Sequence, residues 1–294
     1  NYGLKQAQLI GDYSLGENVF TKLVLNKKKR GGYVNVEGSP YQAAQGVVPN
    51  TVTNHLELDS VDSKGMKFSV LFEGDVSSLN LTIDRTEQNN VPPFAQLTNT
   101  IPNWSTAFGV GASPATGGLK LWPIELFSNE KRQSVAHIDA TTLETSKVSG
   151  QSLTYTHDIG LGQIKAIWSK RKVDWDDILD LDGGPFPIAR TERHTKYDSE
   201  TFELQLSGST DSIEYVVGYY SLKDNAFTYN PQSFFGGGQA FGQNYSGNGD
   251  STAIFGQFTW AIAEDWDLTV GGRSTEEDKT GFKQFVGVIS ASGK

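Results

Sequence analysis

The chain has 294 residues, with 11% aromatic residues and 32 glycines, which excludes a disordered segment, because disorder depletes aromatics, and a helical bundle, which avoids so much glycine. It has no cysteine, so disulfides, thiolate catalysis and cysteine-ligated metals are ruled out, and a formal net charge of -9 argues against a general nucleic-acid binder, which needs a cationic surface. No apolar run approaches the roughly 18 residues of a helical membrane span, but that leaves open a membrane barrel, whose strands are apolar on one side only.

Alternating segments come in pairs along the chain. The first pair covers 4–13 and 18–28, separated by Ser14-Leu15-Gly16-Glu17. The second covers 66–72 and 77–85, joined through Glu73-Gly74-Asp75-Val76, and the third covers 151–156 and 161–173 around His157-Asp158-Ile159-Gly160. The fourth joins 200–206 to 213–223 across 207–212, and the fifth joins 252–262 to 266–275 through Ala263-Glu264-Asp265. Gly, Asp and Ser in these linkers are turn chemistry.

The period of two is sharpest in the fifth pair. Ile254, Gly256, Phe258, Trp260 and Ile262 fall on one side, with Gln257 and Thr259 on the other. Then Trp266, Leu268 and Val270 oppose Asp267, Thr269 and Arg273. One such face suits lipid or a core and the other suits water.

The connections between pairs are expected to be long loops over 29–65, 86–150, 174–199 and 224–251. Repeated structureless loops of that length are rare in a compact soluble domain. Short turns on one side and long loops on the other are the asymmetry of an outer-membrane barrel. Tyr13, Trp168, Tyr219, Trp260 and Trp266, near strand ends, are candidates for an interfacial aromatic belt. Asn1 is not an initiator methionine and the chain stops directly after the strand-like run 285–289, so a piece of a longer protein is expected.

Chemical motifs are sparse. Gly236-Gly237-Gly238 and Gly247-Asn248-Gly249 lack the lysine and helix of a phosphate-binding loop. His55, His137, His157 and His194 show no metal-binding spacing. The acidic run 174–184 could gather a hard cation such as calcium as a loop-bound ion, although it lacks the closing Glu of an EF-hand. A solvated face is its simpler reading. Aromatics crowd two of the expected loops, and Trp104, Trp175 and Tyr229 are singled out as candidate substrate contacts, since exposed rings on loops can stack on a ligand. No nucleophile, base and orienting group stand together, so no enzyme is expected.

The fifth pair carries a resemblance. Ala253-Ile254-Phe255-Gly256-Gln257-Phe258-Thr259-Trp260, followed by Asp265-Trp266-Asp267-Leu268-Thr269-Val270-Gly271-Gly272-Arg273-Ser274-Thr275, resembles barrel strands of TonB-dependent outer-membrane receptors. Phe202-Glu203-Leu204-Gln205-Leu206-Ser207-Gly208, Val217-Gly218-Tyr219-Tyr220, 165–171 and 26–34 are similar to further segments of that barrel, in the same order. The resemblance implies an all-β fold: an antiparallel transmembrane β-barrel segment filling 1–294, with about ten or eleven strands of a barrel of about 22. It covers the early and middle barrel, and no segment matches the plug domain or the last strands.

Implied with it are the outer membrane of a Gram-negative bacterium and TonB-energised uptake of a scarce, bulky solute such as an iron chelate, cobalamin or a glycan. The implied partners are outer-membrane lipid and lipopolysaccharide, the solute at the extracellular loops, and the TonB complex through the plug region. A passive porin and a secreted β-rich adhesin are the alternatives. The parent's upstream sequence separates receptor from porin, and a requirement for detergent separates both from an adhesin.

Overall fold

A computed structural model describes residues 2–37, 57–100, 124–234 and 239–288. Ten long strands form one antiparallel sheet: β1 (Lys5–Ser14), β2 (Val19–Arg30), β5 (Val61–Glu73), β6 (Ser77–Asn90), β8 (Leu143–Asp158), β9 (Gln163–Asp180), β10 (Ala189–Ser209), β11 (Ile213–Phe234), β12 (Gln239–Ala263) and β13 (Trp266–Val288). They lie side by side in chain order, each antiparallel to the next. All five expected pairs are present, and their short turns lie at one end. Four of these close with backbone bonds, such as Gly74 N to Ser77 O at 2.7 Å and Thr210 N to Ile213 O at 2.8 Å.

Two of the four expected loops are mostly strand. Of 174–199 only 181–188 lies outside β9 and β10, and of 224–251 only 235–238 lies outside β11 and β12. The paired register runs unbroken through Asp174↔Lys196 and Asp224↔Gly249. Here polar residues stand on both faces, so the apolar alternation that marks a strand disappears while the backbone pairing continues.

Paired residues share a face, and the register therefore sorts every side chain. One face carries Leu23 and Leu25, then Phe68, Val70 and Phe72, then Leu79, Leu81 and Ile83, continuing through Phe202 and Leu204 to Ile254, Phe258, Trp260, Trp266, Leu268 and Val270. Most of these side chains are exposed, to 64% for Ile254 and 70% for Trp266, while Phe68, Val70 and Leu79 are half-buried. Tyr13, Trp168 and Tyr219 lie on this face too. An apolar band of this extent is foreign to water.

The band occupies the part of each strand nearest the short turns. Beyond it the same face turns polar, at Lys27, Arg85, Lys170, Glu200, Lys223, Asp250 and Glu276. The longest stretch, 254–262 on β12, has nine residues and, tilted as barrel strands are, makes a band roughly 20 Å high. That suits the bacterial outer membrane, which is thinner than average.

The opposite face is largely polar, with scattered apolar and aromatic side chains. Hydroxyl pairs bridge neighbouring strands at Ser69–Thr82 (2.9 Å), Ser78–Thr156 (2.7 Å), Ser169–Thr201 (2.6 Å) and Thr259–Thr269 (3.1 Å). The Arg171 guanidinium reaches across β8 to Asp84 at 3.1 Å. It can do so because Gly150 lies between them: a Cβ there would sit 2.6 Å from Asp84 Oδ1 and 2.7 Å from Arg171 Nη2.

Most of the buried apolar residues lie in a small cap at the end opposite the short turns. Three short strands, β3 (Val34–Val36), β4 (Glu57–Leu58) and β7 (Val135–Ala136), make a second sheet in the order β4-β3-β7, with β3 and β7 parallel. Val34, Leu58, Ala136 and Ile138 form one core, and Ile124, Phe186 and Ile188 form another. Gly183 turns the 181–188 loop at φ 68°, where a Cβ would meet Ala95 O at 2.1 Å.

Candidate functional site

The polar face continues well past the apolar band on β8 to β13, and two successive register rows there collect the chemistry. The lower row reads Ser146, Trp175, Thr195, Thr228, Tyr245 and Lys283 across six neighbouring strands. From Trp175 on β9 to Lys283 on β13 it spans about 19 Å, at roughly 4.8 Å per strand. The row above contains Glu144, Asp177 and Arg193, then Asn230, Gln243 and Phe285.

Arg193 anchors one side of this wall. Its Nε donates to Asp177 Oδ1 at 2.9 Å and its Nη2 donates to Asp177 Oδ2, a two-pronged grip that also raises the Arg193 pKa. The guanidinium lies 4.7 Å from the Trp175 ring centroid. Asp177 is almost wholly buried, whereas the Arg193 side chain stays partly open to solvent. Next to them Asn230 donates to Thr191 Oγ1 at 2.8 Å, and Gln232 donates to Asn230 Oδ1 at 2.9 Å. Thr195 and Thr228 hydroxyls meet at 2.9 Å.

The other side is aromatic. Phe234 stacks on Phe241 with centroids 5.8 Å apart, and Phe241 meets Phe285 at 6.2 Å. Lys283 Nζ stands 5.3 Å from the Tyr245 ring and 5.1 Å from the Phe285 ring. Phe285 is 64% exposed although it lies on the polar face. An ammonium flanked by two rings, with amides and hydroxyls alongside, can hold an anionic or polyhydroxylated ligand by charge, hydrogen bonds and stacking together.

The singled-out aromatics separate. Trp175 belongs to this wall. Tyr229 lies on the opposite face, stacked at 6.1 Å on His194, which itself bonds Asp176 at 2.8 Å. Trp104 lies outside the described residues. Arg193, Lys283 and Phe285 carried no signal in the sequence, since a basic or aromatic residue in a strand looks alike wherever it points.

The acidic run does not act as one loop. Strand alternation sends Asp174 and Asp176 to one face and Asp177 to the other. Only Asp180 and Asp182 remain at its end, where Asp139 joins them with carboxylate oxygens within 4.8 Å of one another. Those oxygens are the set here that could share a cation, yet they already accept backbone N–H groups. Gly183 and Ala140 donate to Asp180 at 2.7 and 3.3 Å, and Gly184 and Ala189 donate to Asp182 at 2.9 and 2.8 Å. Burial, reinforced by the neighbouring Asp180 charge, pushes Asp139 up to about 7 and Asp182 up to about 8. Burial also raises Asp180.

Known proteins match this architecture. The family model described as "TonB dependent receptor-like, beta-barrel" matches residues 80–292. A search of curated proteins found no match. Among solved structures, the ferric yersiniabactin uptake receptor FyuA of Yersinia pestis superposes with a TM-score of 0.62 at 9% identity, covering 96% of this chain and 41% of the receptor. The ferripyoverdine receptor of the outer membrane of Pseudomonas aeruginosa gives 0.62 at 10% identity, covering 96% and 36%. The ferric-catecholate import receptor Fiu of E. coli, in its open form, gives 0.59 at 16% identity, covering 95% and 43%. The chain thus spans less than half the length of these receptors. The apolar band is the lipid side of a barrel wall, the polar face is its inner side, and the chain belongs to the TonB-dependent receptor β-barrel family, an outer-membrane protein and not an enzyme.

Proposed function

We propose that residues 1–294 are part of the barrel domain of a receptor of about 22 strands that takes up a scarce, bulky solute across the outer membrane with TonB-supplied energy. The observation carrying this reading is the wall of Trp175, Arg193, Tyr245, Lys283 and Phe285. It faces inward above the membrane, where an arriving solute would be held before passage. An iron chelate is the solute class favoured over cobalamin or a glycan. The three receptors named above handle ferric chelates by their names, and the Lys283 ammonium between two aromatic rings suits an anionic, aromatic-bearing chelate. TonB would act through a plug region seated against the polar inner face.

The test is uptake of radiolabelled ferric chelates by cells carrying the full-length parent, with and without TonB. Uptake should vanish without TonB. Uptake that persists would make the wall that of a passive pore. Replacing Lys283→Gln together with Phe285→Ala should weaken binding of the transported chelate at least about tenfold, the scale of a binding hot spot. Unchanged affinity would remove this wall from solute recognition.

A further inference from the structure

The arrangement around Lys283, a cation between two rings, recurs lower on the same strand. Arg273 also lies on the inner side of β13, roughly 33 Å below Lys283 along the strand at about 3.3 Å per residue. Its guanidinium carbon stands 5.6 Å from the Tyr220 ring centroid and 5.8 Å from that of Phe255. Its Nε donates to Thr275 Oγ1 at 3.0 Å. Register sets Phe255 of β12 level with Arg273, and Tyr220 of β11 one inner row higher. Gly218 leaves room for this cradle. A Cβ there would sit 2.4 Å from Phe255 Cζ and 2.9 Å from Leu204 O, so a larger residue would displace the ring.

Arg273 meets no carboxylate among the described residues, and its Nη groups have no partner there. Ile254, beside Phe255 on β12, belongs to the outward apolar band. Arg273 therefore stands at membrane height inside the wall, whereas Lys283 stands above the band. The two cations are separate. Between them the inner face carries Asp224 and Glu277, together with Lys279, which pairs with Glu277 at 2.7 Å. An anion is attracted at either end of this stretch and repelled in its middle. On β12 the same stretch presents Gly247, Gly249, Ser251 and Ala253, which leave that strand clear of bulky side chains.

A guanidinium held between rings favours a ligand that is both charged and aromatic. The N–H edge binds the anionic oxygens while the rings contact the flat apolar part. We propose that Arg273, Tyr220 and Phe255 form a second, lower station for an aromatic anion, which receives the anionic part of the solute after it leaves the Lys283 wall. The proposal rests on the uptake reading, and the two are tested by different variants.

The full-length parent in detergent is titrated calorimetrically with benzoate, which has charge and ring, with acetate, which has the charge alone, and with benzyl alcohol, which has the ring alone. Benzoate should fill two sites, and the other two probes should bind at least about tenfold more weakly. Lys283→Gln/Phe285→Ala should remove the upper site alone, and Arg273→Gln the lower site alone. In energised cells Arg273→Gln should slow uptake of the transported chelate at least about fivefold while leaving its capture affinity within about twofold.

A lower site that survives Arg273→Gln, acetate binding as tightly as benzoate, or unchanged uptake would each overturn the station. So would a wild type that binds benzoate at the upper site only, the result expected if a carboxylate of the parent's plug region occupies Arg273. Failure of the uptake reading shows elsewhere, as uptake that persists without TonB. Barrel folding is checked by heat-modifiable gel mobility. If Arg273→Gln fails to fold, Phe255→Leu, which keeps the cation and removes one ring, should still weaken benzoate at the lower site about fivefold. Unchanged affinity in that variant overturns the proposal equally.

Discussion

Arg193 shows how much one side chain can hold on this wall. Asp177 is buried, with the Arg193 guanidinium on both its oxygens. Removing the cation leaves an unpaired buried carboxylate, which is far costlier than the pair itself is stabilising. Arg193→Ala should therefore destabilise the upper wall by about 2–3 kcal/mol, discounted from the fully buried case because Arg193 is partly exposed. Urea unfolding should register the loss, and Trp175 emission should shift as its cationic cover leaves. The double variant Asp177→Asn/Arg193→Gln should recover most of the stability, and a double variant as unstable as the single one would contradict this account. The carboxylates at the end of β9 follow a different logic. Asp139 and Asp182 have pKa values raised in the fold to about 7 and about 8, from an ordinary 3.8. The folded loop thus binds more protons than the unfolded one between those limits. Its stability should be greatest near pH 4 and should fall as pH rises through 7 to 8. Amide exchange of residues 181–188, corrected for intrinsic rates, should speed up over that window. In Asp182→Asn the slope should flatten, and the same slope there would show that another group carries it.

For the elements, legibility followed the bilayer. Every strand pair was readable where one face meets lipid, because Phe202, Leu204 and Leu206 alternate with Glu203 and Gln205 and the period is plain. Strand bounds were missed above the membrane. In 242–250, Gly242, Asn244, Gly247, Asn248 and Gly249 look like a loop, yet β11 and β13 pair with them on both sides. Once both faces are wet, hydrogen bonding holds the strand and composition no longer reports it. The same division predicts mutational tolerance. Leu204→Lys places a charge in the lipid band and should cost about 2–4 kcal/mol, while Gln205→Lys, one residue on and inward, should be near neutral. Folding titrations into bilayers compare the two, and equal effects would reverse the assignment of faces.

At the scale of the molecule, the ten-stranded sheet has β1 at one edge and β13 at the other, each with a single neighbour among the described strands. Unpaired backbone groups are costly in hydrocarbon, so a membrane sheet must close. Strands supplied by the rest of the parent should therefore pair with both edges. Amides of residues 5–14 should exchange slowly in the full-length parent and fast in this segment alone, and equal rates would refute closure through β1. Local pattern alone determined the strand pairs, the short-turn side and which residues share the apolar face, because each depends only on alternation and on turn chemistry a few residues long. Tertiary structure alone decided that Trp175, Arg193, Tyr245, Lys283 and Phe285 share one wall, that Tyr229 lies behind it, and that Asp139 meets Asp180 and Asp182. Those neighbours stand tens of residues apart, and only the register of the sheet, fixed by the sum of its hairpins, brings them level.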